Sequence, residues 1–320
     1  MGFWDYDAMD GLPATMVFEG AGWGADGERQ HTLKAPIGCV GIGVHSGTRV
    51  RLRLVPAETG HGIVFRRTDL GLDIPARFDR VVDTRLCTVL GHESDPTARV
   101  GTVEHLMAAL FGGGIDNVLV EVDGPELPIL DGSANPYLFL IDCAGIAEQD
   151  APRATVAVRR TVRVSEGAAW AELRPAPAGG LDMAMSIAFT AAAIGSQALS
   201  LRLTPDSFRH ELSTSRTFAM AADIDRLRES GLARGGSLDN AVVVDGAKVL
   251  NPAGLRCPDE FVRHKLLDAV GDLALAGAAI RGRFVANRSG HTLNNKLLRA
   301  LFAEPDAVQP IGAGALSQAA

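Results

Sequence analysis

The sequence predicts an α+β fold assembled from two versions of one structural unit, and three observations predict it. Strand-like alternation opens both halves, at Thr48–Val55 and again at Ala154–Val164 and Ala169–Leu173, where apolar side chains recur at every second position. Each half then carries an apolar helix-like run that begins on a histidine, stops at glycine and passes into a strand. In the first half this is His105–Phe111, Gly112–Gly114 and Asn117–Val122; in the second it is His264–Ala276, Gly277 and Arg281–Ala286. Each half closes with a glycine-containing turn, Asp131–Pro136 or Ser289–Asn294, leading into another apolar helix. Repetition of that order is what an internal duplication leaves in a sequence.

In chain order, residues 1–29 are rich in Gly, Asp and Met, show no sustained period and read as a flexible N-terminal extension. The first unit spans 30–150. Its residues from His61 to Leu90 carry short strands and turns without a long helix, a first small insert, and the acidic stretch Glu148–Pro152 reads as a linker. The second unit spans 151–304 and holds a larger insert near 218–250. There Ala222–Leu232 has helical spacing with a glycine stop, and Asn240–Gly246 is a strand running into an Asp-Gly hairpin, which together predict a β-α-β element. Residues 305–320 read as a C-terminal tail.

With 320 residues, of which 47% are hydrophobic, the chain can bury a substantial core. The four cysteines, Cys39, Cys87, Cys143 and Cys257, are far apart and form no Cys-x-x-Cys, so neither a thiolate metal site nor a disulfide framework is expected. A reducing cytoplasm fits that usage. No apolar run reaches the roughly 18 residues of a spanning helix, so no stable membrane insertion is expected. A net charge of −7 without a long basic run argues against general nucleic-acid binding. An anionic substrate would have to meet local cations, for which Arg263, Lys265, Arg281, Arg283 and Lys296 are the candidates.

The two histidine segments carry the chemistry. His264 and Asp268 are four residues apart and project from one face of a helix, with Asp272 one turn further along it. If the two units pack helix against helix, His105 occupies the position corresponding to His264 and completes a three-ligand site. A catalytic zinc takes three protein ligands and leaves a fourth position for water. Glu104, next to one ligand, is then placed to take a proton from that water. The pattern is not the zincin helix, because Ala109 stands four residues after His105.

Several longer segments carry a family likeness: Gly41–Gly47, Thr102–Leu106, Pro125–Ala134, Ser215–Phe218, Phe261–Leu273 and Ser289–Leu298. In these, from about Gln30 to Ala303, the chain closely resembles the UDP-3-O-acyl-N-acetylglucosamine deacetylases, zinc amidases of lipid A biosynthesis in Gram-negative bacteria. The resemblance implies two similar α+β domains, each an antiparallel sheet layered against helices, with a small insert in each and the active site between them. It implies His105, His264 and Asp268 as ligands of one zinc per chain, a set that iron(II) also suits. Glu104 would be the general base, Thr217 a hydroxyl holding the substrate carbonyl, and His291 a protonated histidine oriented by Asp272. Lys265 would contact the substrate sugar or phosphate. Phe218, Met220, Ile224, Leu227, Ala233 and Gly236 would line an apolar passage for the acyl chain. The partner implied is the UDP-3-O-acyl-N-acetylglucosamine substrate, taken by a cytoplasmic monomer. A deacetylase of another N-acetyl amino sugar, or a silent lipid-nucleotide binding protein, is the rival expectation.

Overall fold

The computed structural model describes residues 28–176 and 179–311. In the first half these form β1 (Arg29–Leu33), β2 (Ile37–Ile42), β3 (Arg49–Pro56), β4 (Ile63–Arg67), β5 (Leu72–Pro75), β6 (Val81–Asp83), β7 (Val89–Gly91), β8 (Arg99–Val100), α1 (Glu104–Gly112), β9 (Val118–Val122), α2 (Asn135–Ala144) and β10 (Ile146–Pro152). In the second they form β11 (Thr155–Val158), β12 (Val162–Glu166), β13 (Ala169–Arg174), β14 (Leu181–Ala188), β15 (Ser196–Leu203), the single turn α3 (Pro205–Ser207), β16 (Phe218–Met220), α4 (Ala221–Glu229), β17 (Val242–Asp245), β18 (Lys248–Val249), α5 (Glu260–Ala274), β19 (Ala279–Asn287), α6 (His291–Ala303) and β20 (Val308–Ile311). The result is a mixed α+β fold of several sheets packed against helices.

The first large sheet runs β2-β3-β9-β4-β5, and the second contains the run β12-β13-β19-β14-β15. Within each, the third strand pairs parallel to the fourth and the other neighbours are antiparallel. An all-antiparallel sheet was the expectation, and these parallel pairs correct it. Their cause is the connection: β4 and β9, like β14 and β19, are joined by long segments that include a helix, which a parallel pair requires. Pleating explains the faces. In β3 the valine and leucines at 50, 52 and 54 are buried while the arginines at 49, 51 and 53 are exposed.

Three segments differ from their sequence reading. The alternating run Ala154–Val164 is two strands, because β11 pairs with β19 and β20 while β12 pairs with β13. The stretch read as a linker is β10, paired antiparallel with β1. Residues 305–311 of the expected tail instead make a 3-10 turn and β20, an added strand on β11. Apart from the β12–β13 hairpin, the partners lie far along the chain, so local composition carries no sign of them. Part of the expected first insert, β4 and β5, belongs to the large sheet, while β6, β7 and β8 form a separate three-stranded sheet. The β-α-β element of the second half is present as β16, α4 and β17, with β16 and β17 parallel. Most of the expected N-terminal extension, residues 1–27, lies outside the described residues.

Every residue of α1 is buried, and in α5 the exceptions are Arg263 and Lys265. These two helices pack against one another inside the fold. Their approach is close enough to need glycine. A Cβ on Gly271 of α5 would stand 2.0 Å from the Glu104 carbonyl oxygen at the start of α1. That contact holds the first turn of α1, which carries His105, against α5 about two turns beyond His264.

Candidate metal centre and active site

His105, in the first turn of α1, meets His264 and Asp268 of α5, and all three are buried with one ligand atom from each lying within 4.8 Å of the others. His105 Nε2 is 3.6 Å and His264 Nε2 3.3 Å from Asp268 Oδ1. Ligand atoms on a tetrahedron with arms of about 2.1 Å stand about 3.4 Å apart, a value between the two. The imidazole Nδ1 of His264 is 3.0 Å from the Ser215 carbonyl oxygen. A carbonyl only accepts, so Nδ1 carries the proton and Nε2 presents its lone pair to the cluster. Burial pushes the His264 imidazole down to about 4, which keeps it neutral as a ligand must be. Asp268 Oδ1 is buried without a hydrogen-bond partner. An ionised oxygen and an imidazole lone pair turned toward each other away from water are costly unless a cation lies between them. The donor set therefore fits a zinc ion.

The other Asp268 oxygen accepts a 2.7 Å bond from the Lys265 ammonium. Burial alone would raise the Asp268 carboxyl, but His264 and Lys265 outweigh it and hold the group well below the usual carboxylate range. Lys265 thus helps keep this carboxylate ionised.

Glu104 and His291 face each other beside this cluster, with Glu104 Oε1 3.9 Å from His291 Nε2. One Glu104 oxygen, Oε2, accepts a 3.0 Å bond from the Thr88 backbone N–H. Burial raises the Glu104 carboxyl above its ordinary value, as suits a group that must pick up a proton. His291 opens α6, and its Nδ1 donates to Asp272 Oδ2 at 2.9 Å. Asn294 Nδ2 donates to the same oxygen at 2.9 Å and Thr88 Oγ1 to the other at 2.6 Å. Burial alone would lower the His291 imidazole, but Asp272, Glu104 and Asp268 raise it to about 9, so it is a cation at neutral pH.

A cavity of about 540 Å³ opens onto these groups. It is lined by Glu104, His105, His264, Lys265, Asp268 and His291 at one end, and by Thr217, Phe218, Ile224, Leu227, Ala233 and Gly236 from the second insert. Met220 packs against the hydrophobic core from a partly buried position, and Asp272 stands behind His291 rather than in the cavity wall. The loop bearing Thr217 is anchored by a buried ion pair between Arg216 and Glu260, at 2.8 Å. The structure adds residues to which the sequence reading gave no role. Leu86, Phe189, Leu238 and Leu250 line the cavity although exposed, and Thr88 and Asn294 hydrogen-bond the carboxylates of Glu104 and Asp272. Asn294 stood inside a segment already singled out; the apolar wall residues carried no signal, since an isolated surface leucine is ordinary.

Fold and site together define a metal-dependent hydrolase, with a buried cluster of three candidate metal donors, a carboxylate and a cationic histidine on one apolar cavity. Residues 30–303 match the model of the UDP-3-O-acyl N-acetylglycosamine deacetylase family. The chain is 49% identical over 286 residues to the UDP-3-O-acyl-N-acetylglucosamine deacetylase of Myxococcus xanthus, covering 89% of this chain and 90% of that one. It is 51% identical over 281 residues to the enzyme of that name from Phenylobacterium zucineum, covering 87% and 94%, and 48% identical over 281 residues to that of Idiomarina loihiensis, covering 87% and 91%. The chain belongs to this family of zinc-dependent deacetylases. No helix among the described residues is long and apolar enough to cross a membrane.

Proposed function

We propose that the chain hydrolyses the N-acetyl amide of UDP-3-O-acyl-N-acetylglucosamine, releasing acetate and UDP-3-O-acyl-glucosamine, as a cytoplasmic step of lipid A biosynthesis. The observation that carries this reading is the pairing of Glu104 with His291 across the buried ligand cluster, in a cavity that continues into an apolar insert. His105, His264 and Asp268 would hold one zinc per chain, and iron(II) suits the same donors. When bound, the metal polarises the amide carbonyl and lowers the pKa of its water.

The chain's own groups do the rest. Glu104 has one oxygen tied to Thr88 and accepts the proton of the attacking water on the other. His291, held by Asp272 and protonated, is 3.9 Å from Glu104; it stabilises the developing negative charge and gives its proton to the departing amine. Thr217 donates its hydroxyl to the carbonyl oxygen. Lys265 fixes Asp268 and offers a cation to the sugar or phosphate. Phe218, Ile224, Ala233 and Gly236 take the acyl chain, with Leu227 beside them.

The shared order of the two large sheets, each with a long buried helix directly before its central strand and another helix after it, supports two duplicated domains. Their extents would be 30–150 and 151–304, meeting at α1 and α5, with the chain acting as a monomer. Mass-resolved chromatography of the purified protein with UDP-3-O-acyl-N-acetylglucosamine tests the reading. Loss of the acetyl mass is expected; no loss, or equal turnover of the unacylated sugar nucleotide, rejects it.

A further inference from the structure

Between the two acid–base groups stands a residue that touches neither substrate nor metal. Thr88 lies just before β7, is 1% exposed, and makes three hydrogen bonds to groups from two other elements. Its backbone N–H donates to Glu104 Oε2 at 3.0 Å, and its carbonyl accepts from the N–H of Val103, the residue preceding α1, at 3.3 Å. Its hydroxyl donates to Asp272 Oδ1 at 2.6 Å, across 184 positions of sequence.

We propose that Thr88 is a positioning residue that sets the Glu104 carboxylate and the Asp272–His291 pair in register with each other. The inference rests on the roles given above to Glu104 and His291, and it adds the part that couples them. A carboxylate is planar and turns about the bond to its methylene. Asp272 Oδ2 serves His291 and Asn294, both from α6, so these two bonds leave the plane free to tilt toward α6. The Thr88 hydroxyl on Oδ1 fixes the plane from the opposite side, and with it the direction in which the His291 ring is held. Since the same residue's N–H holds Glu104, base and acid are referred to one point at the start of the central strand of the three-stranded sheet. Reacting groups tolerate little displacement, because about 1 Å of error costs on the order of 10²-fold in rate.

The test uses the zinc-loaded full chain. Thr88→Val keeps the shape and the backbone bonds and removes the hydroxyl; Thr88→Ala removes it without bulk; Thr88→Ser restores it. The expected result is a fall in kcat on the order of 10-fold or more for Val and Ala, with KM and zinc content unchanged and Ser close to the parent. Introduced into His291→Ala, Thr88→Val should cost little further, since the pair it orients is already broken. Retention of full kcat in both Val and Ala overturns the proposal. So does an equal loss in the parent and His291→Ala backgrounds, a raised KM, lost zinc, or failure of both variants to fold, each of which makes Thr88 a general structural residue. Glu104→Gln and His291→Ala run alongside separate the two levels: if these keep full turnover, the roles under the proposed function fail first.

Discussion

Gly271→Ala adds one methyl group where α5 meets the backbone of α1, and its consequence can be worked from distances. The new Cβ would lie 2.0 Å from the Glu104 carbonyl oxygen and 2.8 Å from its carbonyl carbon. A carbon tolerates a carbonyl oxygen at about 3.3 Å, so the helices must part by about 1.3 Å at this level. Backbone atoms cannot rotate away as the end of a long side chain can. That parting moves His105 and Glu104, on α1, away from His264 and Asp268, on α5. Helix propensity alone would make Ala the better residue by about 1 kcal/mol; overpacking a filled core costs about 1–3 kcal/mol. We expect the second effect to win, with a lower unfolding midpoint, weaker zinc retention on dialysis, and kcat/KM reduced on the order of 10²-fold. Acetate release, elemental analysis and thermal denaturation measure the three. A variant with parental activity and zinc and a raised midpoint would refute the reasoning, because it would show that α1 and α5 move apart freely.

The remaining expectations concern the site itself. His264→Ala or Asp268→Ala should lose the bound metal, from about one equivalent by elemental analysis to near none, because two protein ligands are too few; full activity after exhaustive chelation would contradict the metal assignment. Glu104→Gln and His291→Ala should each lose on the order of 10²-fold or more in kcat while keeping zinc, and near-parental turnover would remove that residue from the chemistry. Since His291 is raised to about 9 and acts when protonated, kcat should hold through neutral pH and fall as pH passes about 9; a basic limb that persists unshifted in His291→Ala would belong to another group. Along the cavity, a substrate lacking the acyl chain should lose at least roughly 10³-fold in kcat/KM if about 4 kcal/mol of chain burial is realised. A bulky residue at Gly236 should penalise long chains more than short ones, whereas Gly236→Ala should be mild, its Cβ meeting nothing nearer than 3.4 Å.

What the sequence made legible was what repeats or has a fixed local spacing. His264 and Asp268 are on one helical face by count alone, and the recurrence of helix, glycine and strand in both halves brought His105 toward them. The insert was readable for the same reason, since an Asp-Gly hairpin after a helical run is a local signal. Contacts between distant segments were not readable. Thr88 has no feature that marks it as a partner of Asp272. The pairing of β1 with β10 and of β11 with β20 depends on strands that become neighbours only once the chain has folded. The family likeness supplied the roles of Thr217, Lys265 and the acyl-passage residues, which spacing could not.

The division of the ligands between α1 and α5 has a bearing on how the protein matures. His105 and His264 are 159 positions apart, and the shortest stretch of chain containing all three proposed ligands runs from 105 to 268. A nascent or partly folded polypeptide ending before α5 offers one of the three proposed ligands, too few to hold zinc. Zinc that binds only the finished arrangement favours that arrangement by mass action. With the proposed ligands, loading of the ion would double as an inspection step, open only to molecules in which the two helices have already found each other.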